Sequence, residues 1–166
     1  MPTELTVLLV DNHEETLFAL ESALAPLGCP TERAQSGEEA LKAVLRGGID
    51  LVILDVVMPG MTGLEVALHL HRLEQTSDIP VILLTGLFRH ARLAEEAYGL
   101  GVSDILTKPV DPWLLRLKVT AHLRSLRRLR SLEDELARRS GASRNGAARA
   151  EGGGRGSAVE SWRQRG

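Results

Sequence analysis

Cysteine occurs once in the 166 residues, at position 29, which excludes an internal disulfide and a cysteine-built metal cluster. Aromatic side chains make up 3% of the chain, so a core has to be assembled mainly from the Leu, Val, Ile and Ala that dominate its 43% hydrophobic content. No apolar run approaches the roughly 18–20 residues of a membrane span. The first apolar stretch, ending at Val10, has Glu4 before it and Asp11 directly after it, unlike a secretion signal. These absences point to a cytoplasmic protein with no membrane contact. One sign of charge is scarce in each part. Residues 1–123 hold nine Lys/Arg against seventeen Asp/Glu, whereas residues 124–166 hold eleven against five. The chain reads as an acidic globule, long enough for one substantial core, followed by a basic extension.

What is present is a repeated alternation. The runs LTVLLV (5–10), LVIL (51–54) and PVILL (80–84) are too short for helices and rich in β-branched residues, as in strands buried on both faces. Residues 30–34 and 104–107 are shorter strand candidates, the former polar enough for a sheet edge. Helical spacing follows each strand. Leu17, Leu20, Leu24 and Leu27 lie on one face before Gly28, and Ser36 with Glu39 and Thr62 with Glu65 have capping-box spacing. Further helices are predicted over about 63–75 and 89–100, and the last opens with Asp111 as N-cap and Pro112 at its first position. Five strands alternating with five helices imply an α/β fold, a doubly wound parallel sheet with helices on both faces.

In such sheets ligands bind beyond the carboxyl ends of the strands. Four strands end there on polar residues: Asp11, Asp55, Thr85 and Lys108. Asp55 is followed by Met58-Pro59-Gly60, which cannot continue a strand. Two neighbouring carboxylates raise one another's pKa unless a cation lies between them. Oxygen ligands with open positions suit Mg²⁺. A lysine ammonium and a threonine hydroxyl can hold phosphoryl oxygens. Together the four groups make a phosphoryl-acceptor site in which an aspartate attacks phosphorus. Asp50 and Asp104 read as solvated loop residues, and His13 as a bystander.

Asp11, Asp55 with Met58-Pro59-Gly60, Thr85 and Lys108-Pro109, in this order and spacing, resemble the receiver domain of two-component response regulators, the CheY-like family. The resemblance covers residues 5 to about 122. It implies a flavodoxin-like five-stranded sheet of order 2-1-3-4-5. Asp55 would take phosphate from a sensor histidine kinase, and Asp11, Asp55 and the Val57 backbone carbonyl would hold Mg²⁺. Thr85 and Lys108 would bind the phosphoryl group, and the Lys108-Pro109 peptide would be cis. Such a domain phosphorylates itself from a donor rather than turning over substrate.

Four positions depart from the family pattern. Receivers carry two adjacent acids after the first strand, and here the pair is Asp11-Asn12, so Asn12 can offer only an amide oxygen and weaker metal binding is expected. Asn12 is equally suited to cap the first helix. Ile105 stands where Tyr or Phe is usual, which weakens the expected coupling to Thr85, with Phe88 read as covering the 85–88 loop. Val57 and Leu87, apolar two residues after Asp55 and Thr85, are expected to shield the acyl phosphate from water and prolong its life.

From Trp113 the helical pattern runs on, and Leu129, Leu132 and Leu136 are spaced three then four, as in a short coiled coil. Residues 1–122 are read as the receiver and 123–139 as a helical extension able to join two copies. Residues 140–166, Gly-, Ala-, Arg- and Ser-rich with Val159 and Trp162 as large apolar side chains, are read as a disordered tail. His122 reads as a packing contact. Nothing resembles a DNA-binding domain, so the expected output is contact with another, unknown protein. Two alternatives are a phosphorylation-independent scaffold with an impaired metal site, and a receiver portion of a larger hybrid regulator.

Overall fold

Val7–Val10 (β1), Leu51–Asp55 (β3) and Val81–Thr85 (β4) are buried at every position, as strands covered on both faces must be. The computed structural model describes residues 4–86 and 91–152, with side chains up to residue 146. Within it Thr31–Ala34 (β2) and Asp104–Thr107 (β5) complete a five-stranded parallel sheet of order β2-β1-β3-β4-β5. The polar strand β2 lies at one edge, as its composition predicts. Glu14–Leu24 (α1), Gly37–Arg46 (α2), Gly63–Arg72 (α3), Ala91–Gly99 (α4) and Pro112–Gly152 (α5) alternate with the strands.

Strand alternation divides the core. Leu8, Val10, Val52, Leu54, Val81 and Leu83 form one cluster with Ala40 and Val44 of α2, Val66 and Leu70 of α3 and Ala97 of α4. The intervening Val7, Leu9, Leu51, Ile53, Ile82 and Leu84 are equally buried and face the other way. On that side lie Leu17, Leu20 and Leu24 of α1 and Leu115, Val119 and Leu123 of α5, all buried. Arg116 ties these two helices by donating to the Ala23 carbonyl at 3.1 Å.

Capping explains where the helices begin. Thr62 and Glu65 form a full capping box: Glu65 N donates to Thr62 Oγ1 (3.3 Å) and Thr62 N to Glu65 Oε2 (2.8 Å). The Ser36 box is only half formed, because Glu39 Oε2 accepts from Gln35 N instead. Asp111 Oδ1 accepts from Trp113 N at 2.8 Å, with Pro112 opening α5. Asn12 is not a cap. Helix α1 starts two residues later, with His13 at the N-cap position and no side-chain cap bond. Helix α3 stops at Arg72, short of the expected residue 75, and Thr76 Oγ1 then donates to the Leu70 carbonyl at 2.7 Å.

Two compact units divide the chain, residues 1–124 and 125–166. In the second, the helix runs on to Gly152, whereas composition predicts no structure from residue 140. The correction has a physical reason. A burial argument excludes a packed core, but helix hydrogen bonds are local, and Ala142 and Arg144 belong to good helix-forming residue types. Side chains 140–146 are all exposed. Val159, Trp162, Leu87 and Phe88 lie outside the described residues, as does the start of the helix predicted from residue 89.

Candidate functional site

Register brings the predicted site residues together. Val10 pairs with Leu54, so Asp11 leaves β1 abreast of Asp55. Asp55 pairs with Leu84, which sets Thr85 one step beyond it, and Thr85 pairs with Thr107, which sets Lys108 one step further still. The Lys108 amide donates to the Thr85 carbonyl at 2.9 Å, and the Lys108-Pro109 peptide is cis.

Lys108 Nζ reaches both carboxylates, Asp11 Oδ2 at 3.1 Å and Asp55 Oδ2 at 3.0 Å. Asp11 and Thr85 are 0% and 1% exposed, and Asp55 is 4% exposed. Burial pushes the Asp55 carboxyl above its ordinary range. The Lys108 ammonium and the Val57 amide pull it back, and the Asp11 charge adds to the rise. Burial alone would lower the Lys108 pKa, but its two carboxylate partners outweigh this and hold it above the ordinary value. The ammonium therefore stays charged and partly balances two buried acids.

The donor set fits Mg²⁺. Asn12 Oδ1 is buried and has no hydrogen-bond partner. Leaving such an oxygen unpaired costs about 1–3 kcal/mol, which a bound cation would offset. No group of three or more His, Cys, Asp or Glu shares a site among the described residues. Asp11 and Asp55 are the two carboxylates brought together by Lys108, and Asn12, next in the chain to Asp11, offers an amide oxygen rather than a third carboxylate. Val57 is 60% exposed, an apolar side chain two residues beyond the buried Asp55.

Several features were not legible beforehand. Asp11 Oδ1 accepts from the His13 amide at 2.8 Å and lies 3.1 Å from His13 Nδ1, so His13 orients the carboxylate rather than standing by. The Asp-x-His spacing is the signal, an Asx-turn that locks the side chain to the backbone two residues on. A groove of about 400 Å³ between α1 and α5 borders Lys108 and is lined by Ala19, Leu20, Pro109 and Leu115. Asp50 and Asp104 are not solvated loop residues. Asp50 Oδ2 accepts from Thr6 N at 2.8 Å, and Asp104 in β5 pairs with Lys118 at 3.0 Å. Ile105 packs half-buried against the core cluster of α2, α3 and α4.

Known proteins resemble this chain in sequence and fold. The profile of the response regulator receiver domain matches residues 7–120. Response regulator PleD of Caulobacter vibrioides is 37% identical over 140 residues, covering 83% of this chain and 29% of that protein. The transcriptional regulatory protein YrkP of Bacillus subtilis is 34% identical over 120 residues, covering 71% of this chain and 49% of that protein. The chain thus spans less than half the length of these relatives. The solved structure of chemotaxis response regulator CheY4 of Vibrio cholerae superposes with a TM-score of 0.67 at 28% identity, covering 72% of this chain and 99% of that one. No helix among the described residues is long and apolar enough to cross a membrane. With the profile matching most of its length and the sheet order agreeing, the chain belongs to the family of response regulator receiver domains.

Proposed function

We propose that this receiver accepts a phosphoryl group on Asp55 from the phosphohistidine of a sensor histidine kinase and signals by protein–protein contact. The observation that carries the reading is one lysine ammonium shared by two buried carboxylates at the carboxyl edge of the sheet. An Asp55 oxygen attacks phosphorus, an O–P bond forms, the P–N bond to the kinase imidazole breaks, and the imidazole keeps the electron pair and takes a proton. Lys108, already charged, turns from the carboxylates to the phosphoryl oxygens, and the Thr85 hydroxyl binds another of them. Asp11, Asp55, the Val57 carbonyl and Asn12 would hold Mg²⁺. When bound, the ion neutralises carboxylates and phosphoryl oxygens that would otherwise repel. With an amide in place of one acid, that binding is weaker than in receivers with two adjacent acids. Val57 offers no hydrogen bond to orient a hydrolytic water, so the acyl phosphate is long-lived.

A second reading concerns the output. The match to PleD takes in more of this chain than the match to YrkP, 83% against 71%. A match of that length takes in part of the last helix beyond the globular unit, which supports a receiver whose last helix leads on within a larger regulator, with the cell's cytoplasm as its setting.

The test is the intact mass after incubation with acetyl phosphate and Mg²⁺, with Asp55→Asn alongside. One added phosphoryl group on the parent alone, decaying over many minutes once the donor is removed, is the expected result. No adduct, with the spectrum also unchanged by beryllofluoride and Mg²⁺, would replace this reading with a phosphorylation-independent scaffold.

A further inference from the structure

We propose that residues 125–139 of α5 pair in parallel with the same segment of a second copy of this chain. Leu129, Leu132 and Leu136 are 57%, 49% and 64% exposed. At about 100° per residue they fall within one arc of about 60°, on a helix whose opposite side carries Arg127 and Ser131. Assigned to heptad positions a, d and a, these leucines put Arg128 at g and Glu133 at e.

Charge then selects the occupant and its direction. An anionic membrane or a nucleic acid would favour an unbroken basic face. Here Arg127 and Arg128 are followed by Glu133, Asp134 and Glu135, and then by Arg138 and Arg139. Opposed charge blocks on one helix match another copy of the helix. In a parallel pair, Arg128 at g meets Glu133 at e of the next heptad on the other strand. In an antiparallel pair Arg128 would instead meet Glu135, which Arg139 already holds at 2.6 Å within the helix. The parallel register thus forms the Arg128–Glu133 pairs and leaves the Glu135–Arg139 pair intact. From Leu129 to Leu136 the stripe spans only about 10 Å, so the association is weak and concentration-dependent. It does not depend on whether Asp55 accepts phosphate.

Disulfide trapping on the full chain tests this, in a Cys29→Ala background. Parallel pairing brings Leu129→Cys against its twin and Leu136→Cys against its twin, both within disulfide reach. An antiparallel pair can centre on only one of these positions, leaving the two copies of the other about 21 Å apart. Mild oxidation should give covalent dimers from both variants and none from Arg127→Cys. By sedimentation equilibrium, Leu132→Asp should weaken association at least about tenfold. Arg128→Glu and Glu133→Arg should each weaken it roughly threefold to tenfold and restore it when combined. Trapping at only one leucine position, equal trapping at Arg127→Cys, or a monomer at every concentration would overturn the proposal. Acetyl phosphate labelling of the same samples separates this outcome from failure of the acceptor reading.

Discussion

His122 is a half-buried base close to a paired carboxylate. Its side chain is 24% exposed, its Nε2 lies 3.9 Å from Asp104 Oδ2, and Asp104 is already paired with Lys118. Burial pushes the imidazole pKa below its ordinary 6.5. Asp104 pulls it up, and Lys118 pushes it further down. A base depressed in the folded state contributes stability that is present above the unfolded value and lost as pH falls through the folded one. Thermal melts of the parent should therefore lose stability as pH drops below 6.5 more steeply than melts of His122→Gln. Parallel curves for the two proteins would remove His122 as the cause. That His122 makes a contact was legible from its place between Val119 and Leu126. Its acidic neighbour was not, because Asp104 comes from β5 and reaches it only through the packing of α5. Asn12 teaches the same lesson. The substitution is plain in the sequence, but that its oxygen is buried and unpaired is a property of the fold.

At the scale of elements, the junction of β3 and α3 sets where Asp55 stands. Gly63 N donates to the Val56 carbonyl at 2.9 Å, and a Cβ at Gly63 would lie 2.2 Å from the Asp55 carbonyl oxygen. That oxygen is backbone and cannot swing aside. Gly63→Ala should therefore destabilise the domain by about 1–3 kcal/mol, read as a lowered urea midpoint. Gly99→Ala, where a Cβ would meet nothing within 4 Å, should leave it near the parent. Equal midpoints for the two variants would refute the steric argument. The Thr62–Glu65 box was visible as a spacing, and both its bonds form. The crowding at Gly63 was not visible, since a glycine at the start of a helix has many uses. The helix beyond residue 140 is not legible in the composition for a different reason: composition reports burial, and a solvated helix needs none.

For the whole molecule, the core ends with Leu123, and residues 1–124 form a unit of their own. A chain truncated after Arg124 should keep the melting temperature of the parent and accept phosphate on Asp55. It should also remain monomeric at concentrations where the full chain associates. A large drop in melting temperature would mean that the later helix contributes to the core. The sequence alone determined the order of strands and helices, because strand and helix periods differ and burial on both faces leaves uninterrupted apolar runs. It also marked the polar residues that end four strands. Only the tertiary structure decided that Lys108 and Asp11, 97 residues apart, share a hydrogen bond. That meeting depends on parallel register across three strand pairs, β1 with β3, β3 with β4 and β4 with β5. Such register is set by long-range packing, to which no local window of the chain has access.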